Sequence, residues 1–193
     1  MVLLLATRSL ARGRGSLLLN PSKIPIPLSF RAATKFSPSY KMSTLSGSLP
    51  VVLCGRTTAI GKPVSEALLP DYEVIHFIQT NEAVLAELPH LLAGRDPQAA
   101  ASNDVGTHDY SRPARAVIFG RGYEMEDIEV FRKATSGSAS GPTAWVVGDP
   151  AKKPKSNGPP PPAGYAKVAA DLAKEKLDQW KASGADKDEL FFY

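Results

Sequence analysis

Glycines 55 and 61 bracket a short segment, Cys54-Gly55-Arg56-Thr57-Thr58-Ala59-Ile60-Gly61. It follows the apolar run Val51–Cys54 and leads into a helix-patterned stretch. A turn set between a strand and a helix aims the free N–H groups of the helix's first turn beyond the strand end. The chemistry this suits is anion binding, and the ligand it points to is a nucleotide or dinucleotide phosphate. A second glycine-rich turn, Gly120-Arg121-Gly122-Tyr123, follows another apolar run. Gly55, Arg56, Thr57, Gln79, Gly120, Arg121 and Asp149 all fall at the ends of expected strands. Two arginines there favour an anionic ligand.

The other reactive side chains are dispersed. Cys54 is the one cysteine. A helix N-terminus could make it a nucleophile, but a lone cysteine at a strand end reads first as a small buried apolar residue. His76 falls inside an expected strand and reads as packed or hydrogen-bonded, while His90 follows Pro89 on an expected exposed turn. His108-Asp109-Tyr110 is the one clustered polar triplet. A His–Asp pair can act as a base, yet a loop position favours solvated side chains. One cysteine and three scattered histidines give no metal-ligand spacing. No GxSxG, GxxxxGK(S/T) or HExxH pattern occurs, and the sequence assigns no catalytic residue.

The elements that must position these residues alternate in type. Strand patterns cover Val51–Cys54, Tyr72–Ile78, Arg115–Phe119 and Thr143–Val147. Helix patterns fall between and after them. Val64, Ala67 and Leu68 share one face of the first, with Pro63 near its start. The second is capped by Asn81 and closed by Gly94, with Pro89 expected to kink or shorten it. The third spans Glu124–Ala134. The fourth spans Gly164–Ala182, with Val168, Leu172, Leu177 and Trp180 packing on the body. Residues 95–114 are polar and read as a long mobile or functional loop. The order predicts an α/β fold: a small four-stranded, mainly parallel sheet in three layers with right-handed crossovers. The strand order is either 2-1-3-4, as in flavodoxin-like folds, or half of a Rossmann sheet.

The 54–61 segment resembles the TGxxxGIG turn of short-chain dehydrogenases and their extended relatives. Gly55 and Gly61 match its first and last glycines and Ile60 the aliphatic between, while Cys54 replaces the threonine and Ala59 the middle glycine. The resemblance implies a Rossmann-like fold with Gly55, Arg56, Thr57, Ile60, Gly61, Gln79, Gly120 and Arg121 around a cofactor. It also bears on the cofactor's type. Strand two ends Ile78-Gln79-Thr80-Asn81 without an acid for ribose hydroxyls, and Arg56 stands ready for a 2′-phosphate, so NADP is favoured over NAD. The catalytic half of that family is missing. Its Tyr and Lys four residues apart have no counterpart, since Tyr110, Tyr123 and Tyr165 precede Ala114, Asp127 and Ala169 at that spacing. More broadly, residues 51–125 resemble a group of short fungal proteins with a similar Rossmann-like core, a resemblance that implies no activity.

Charge divides the chain. Residues 1–41 hold seven basic residues and no acid, whereas residues 42–193 hold 16 Lys and Arg against 19 Asp and Glu. The body, at a net charge of −3, has no basic footprint for nucleic acid. No apolar run approaches the ~20 residues of a membrane span. The start MVLLLATRSLARGRGSLLL has the composition of an organellar transit peptide, which predicts a mitochondrial protein if it is translated. Met42 is the alternative start, which predicts a cytoplasmic one.

The chain therefore divides into a disordered extension (1–41), a Rossmann-like core (50–150), a proline-rich linker (151–162) and a C-terminal helix (163–185). Two functions are compatible with it. One is nucleotide or NADP binding without a recognisable catalytic set. The other is a non-catalytic protein-interaction module that docks through the C-terminal helix and the tail Phe191-Phe192-Tyr193.

Overall fold

The computed structural model describes residues 47–152 and 162–193. The 1–41 extension and residues 153–161 of the linker lie outside the described residues, and with them the presequence and disorder expectations. Residues Ser43–Tyr193 form one compact unit.

Five parallel strands make one sheet: β1 (Leu49–Cys54), β2 (Tyr72–Ile78), β3 (Ala116–Phe119), β4 (Ala144–Val147) and β5 (Glu189–Phe192), in the order β2-β1-β3-β4-β5. This is the flavodoxin-like order. β1, β3 and β4 are buried along their whole length, as apolar runs covered on both faces must be. Among the described residues four α-helices cover the sheet: α1 (Thr58–Leu68), α2 (Asn81–Leu92), α3 (Met125–Thr135) and α4 (Tyr165–Ala182). α1 and α4 pack on one face, with Val64, Leu68, Ala170, Leu177 and Trp180 against Val51, Leu53 and Val146. α2 and α3 pack on the other, with Leu88, Leu91, Ile128 and Phe131 against Val52, Val117 and Phe119.

Several boundaries differ from the sequence pattern for local reasons. Thr80, not Asn81, caps α2, its hydroxyl accepting from the Ala83 N–H at 3.1 Å. α2 runs through Pro89 to Leu92, so the proline does not shorten it. On α4 the buried stripe is Ala169, Ala170, Ala173, Leu177 and Trp180, whereas Val168 is 58% exposed. Small alanines let α4 approach α1 closely, a fit that apolar periodicity alone does not reveal.

The fifth strand is the main correction. Glu189–Phe192 pairs with β4, and Tyr193 is buried with its hydroxyl donating to the Phe119 carbonyl at 3.3 Å. The tail is thus part of the sheet and not a free docking segment. A four-residue strand after a polar turn is too short to announce itself by alternation.

Its connection is also unusual. α1 carries the chain from β1 to β2 on one face, while α2 and α3 carry it the opposite way on the other face, so these three crossovers share one hand. α4 carries it from β4 to β5 in the second direction but on the α1 face. The β4–α4–β5 connection therefore has the opposite hand, against a rule that holds in about 98% of cases. The alanine stripe of α4 meets α1 on that face.

Residues 103–112 do not hang free but line the open edge of β2. Thr107 and His108 donate backbone N–H groups to the Val74 and Ile75 carbonyls at 2.9 and 3.0 Å, and Asn103 donates to the Phe77 carbonyl at 3.0 Å. Arg112 pairs with Glu73 of β2 at 2.7 Å. The loop shields an edge that would otherwise template strand addition.

Candidate functional site

At the carboxyl end of the sheet the chain leaves β1 for one face and β3 for the other, which makes the gap between them the switch point where ligands bind in open α/β sheets. Gly55, Arg56 and Thr57 follow β1, Gln79 follows β2, Gly120 and Arg121 follow β3, and Asp149 comes just after β4. The structure brings all of them to this end. Thr57 is the N-cap of α1 with an extended backbone and no side-chain cap; its carbonyl receives Ile60 N–H and Gly61 N–H. The N–H groups of Thr58 and Ala59 thus begin the helix without intrahelical acceptors.

The individual tasks differ from those the sequence suggests. The Arg56 fork is engaged by the protein: Nε donates to the Gly122 carbonyl at 3.1 Å, Nη1 to the Gln79 carbonyl at 3.2 Å and Nη2 to Asn81 Oδ1 at 2.8 Å. Its guanidinium lies 3.9 Å from the centre of the Tyr123 ring. Arg56 therefore ties together the turns after β1, β2 and β3. Gln79 returns a bond to the Arg56 carbonyl at 3.3 Å. Gly55 and Gly61 both close on Phe77: a Cβ on Gly55 would sit 3.0 Å from the ring, and one on Gly61 2.6 Å. Their missing side chains make room for an aromatic ring.

Arg121 is different. It crosses over Gly148, its guanidinium lies 5.8 Å from the Tyr165 ring centre, and its buried Nε has no hydrogen-bond partner among the described residues. Tyr165 also lines a groove of about 400 Å³ with Ala59, Ile60, Pro63, Ala67 and Gly164, at the amino end of α1. Asp149 is held below the ordinary carboxylate range, first by the Ala151 N–H and then by Lys152, with Arg121 adding its charge.

A second polar cluster lies under the edge of β2; it takes His108 and Tyr110 from the polar triplet noted in the sequence and adds His76 and Glu87, which sequence reasoning did not join to them. A bulge puts Val51 opposite Val74 but Val52 opposite His76. This turns His76 from the α1 face, which Tyr72 and Val74 share, toward α2. His76, 2% exposed, binds Glu87 Oε2 through Nε2 at 2.8 Å and the Tyr110 hydroxyl through Nδ1 at 2.7 Å. Burial lowers the His76 pKa, and Glu87, which raises it in opposition, does not offset that. His108 stands edge-on to His76 at 5.8 Å between ring centres, with a φ of +54° and a buried Nε2 that has no partner among the described residues. Asp109 turns away and accepts from the Ser111 N–H at 3.0 Å. His108 and Tyr110 are thus held half-buried against β2. Glu87 could have been noticed only by knowing that α2 sets it over a bulged strand. Cys54 is fully buried, which pushes its thiol pKa far up, as expected of a core residue.

Among the described residues no group of His, Cys, Asp and Glu is arranged to hold a metal ion, and no helix is long and apolar enough to cross a membrane. No protein-family model matches the chain. No solved structure matches it either. Across 147 residues, 75% of this chain and 86% of the relative, it is 36% identical to Kojic acid related protein 6 of the fungus Aspergillus oryzae. With that identity over most of both chains, this α/β protein belongs to the same family as Kojic acid related protein 6.

Proposed function

We propose that the carboxyl end of the sheet binds a small phosphorylated ligand, a nucleotide, with NADP as the first candidate. Arg121 carries the reading. Its Nε is buried without a partner, and its guanidinium lies 5.8 Å from the ring of Tyr165, which lines the groove at the amino end of α1. A phosphate at the amino end of α1 would meet the free N–H groups of the helix's first turn, on the side of the sheet end where Arg121 lies. Arg56, engaged by three acceptors, serves this site by fixing its floor. The tyrosine–lysine pair of short-chain dehydrogenases is absent, so the reading is binding without hydride transfer at this site.

Titration calorimetry with NADP, NAD, FMN and ATP tests it on the wild type and Arg121→Met. A charge-assisted contact is worth ~1.5–3 kcal/mol, so the substitution is expected to weaken NADP roughly ten- to hundredfold. Absence of heat with all four nucleotides at millimolar concentration overturns the proposal.

A second reading, a non-catalytic interaction module, rests on β5. This edge strand leaves Phe192 45% exposed. It expects association through that edge, abolished by Phe192→Lys. Sedimentation behaviour identical in the two proteins, with and without a fungal extract, removes it.

A further inference from the structure

We propose that Tyr110, His76, Glu87 and His108 form a separate site for acyl transfer from small activated esters, with the Tyr110 hydroxyl as nucleophile. The geometry is a hydroxyl–imidazole–carboxylate chain. Tyr110 Oη lies 2.7 Å from His76 Nδ1, and His76 Nε2 lies 2.8 Å from Glu87 Oε2. A neutral imidazole that donates Nε2–H to the carboxylate leaves Nδ1 as an acceptor for the phenol, which is the tautomer a general base needs.

Three features mark the cluster as more than a packed core histidine. The bulge in β2 is what aims His76 at Glu87, and bulges recur where a side chain must be re-aimed. His108 holds a left-handed backbone, uncommon for a residue other than glycine, at a point where its N–H is bound to the Ile75 carbonyl. Its buried Nε2 has no partner among the described residues, so a ligand atom would satisfy it. Tyr110 is partly exposed and reachable from solvent. Burial and the nearby Glu87 raise the Tyr110 pKa, so the phenol is protonated at rest and needs a base to act.

The step balances without a cofactor. Tyr110 Oη attacks the ester carbonyl carbon as its proton passes to His76 Nδ1, and Glu87 stabilises the imidazolium so formed. In the tautomer that carries its hydrogen on Nε2, His108 donates a hydrogen bond to the developing oxyanion. The carbon–oxygen bond to the leaving group breaks, the alcohol or phenol departs with the proton held by His76, and an acyl-tyrosine remains. Water then hydrolyses this aryl ester with His76 again as base. Tyr110 and His108 touch the substrate, while Glu87 is a positioning residue.

The test treats the full chain with 4-nitrophenyl acetate, following nitrophenolate release and mapping the acetyl group by peptide mass spectrometry. The expected result is a burst with acetyl on Tyr110. Tyr110→Phe removes the nucleophile and with it the proton transfer to His76, worth about a hundredfold or more, so it is expected to lose the burst and at least that factor in release. His108→Asn, which tolerates the left-handed backbone, should slow the burst yet leave Tyr110 as the acetylated residue. Glu87→Gln should lower the rate and move the inflection of its pH profile to lower pH, because the charge that raises the His76 pKa is gone. That shift is not expected of a merely structural role. Acetyl found on lysines alone, or release unchanged in Tyr110→Phe, overturns the proposal. Should Tyr110→Phe fail to fold, the acetyl map and the Glu87→Gln profile decide alone.

Discussion

Arg56 illustrates how a side chain at a ligand-binding position can be occupied by its own protein. Its three hydrogen bonds and its place over Tyr123 predict that Arg56→Ala costs stability, about 1–2 kcal/mol for a partly solvated cation. Arg56→Lys should restore little of it, since an ammonium cannot span three acceptors set in a fork. Urea midpoints of both variants check this, and a wild-type midpoint in Arg56→Ala would refute it. His76 gives the second prediction at this scale. Its folded pKa is lowered from 6.5, so the unfolded chain takes up the proton first as pH falls. Stability then declines as pH drops through about 6.5 and levels off below the folded value. The lowered carboxyl groups of Asp149 and Asp178 act below 3.8, in a separate window. Unfolding free energy measured from pH 7.5 to 5 should slope in the wild type and flatten in His76→Gln. Equal slopes would place the acid sensitivity elsewhere.

At the scale of elements, the contact between α1 and β2 depends on the absence of one methyl group. A Cβ on Gly61 would lie 2.6 Å from two carbons of the Phe77 ring, and both residues are buried. Gly61→Ala is therefore expected to destabilise by about 1–3 kcal/mol, the usual cost of overpacking. Adding Phe77→Leu should recover part of that loss, because the branched side chain removes the obstructing ring. A double-mutant cycle with additive free energies would mean that the two residues do not compete for space. The same argument reassigns the glycine turn. Its spacing is legible in sequence as a sharp turn, but whether glycine admits a phosphate or a neighbouring ring depends on what β2 places opposite.

For the whole molecule, the compact unit Ser43–Tyr193 predicts that a protein beginning at Met42 unfolds cooperatively and keeps its near-ultraviolet dichroism. A molten spectrum would show that residues 1–41 contribute to the fold. β5 closes this unit. It covers the outer side of β4, and the Trp180 indole N–H reaches the Lys187 carbonyl at 3.0 Å, tying α4 to the strand that follows it.

The sequence by itself determined the alternation of strands and helices, the parallel α/β class and the gathering of Gly55, Arg56, Gln79, Gly120 and Arg121 at one end of the sheet. Those follow from apolar period and turn chemistry, which are local. It did not determine β5, the reversed hand of the last crossover, or the His76–Glu87–Tyr110 chain. Each of these depends on residues far apart in sequence. β5 is too short to carry a period, and the hand of its crossover depends on which face of the sheet α4 packs against. The His76 cluster exists because a bulge reverses one side chain beneath a loop that strand pairing holds in place. Only tertiary structure decides such matters, because the free energy that fixes them is that of packing between elements, and no single segment contains it.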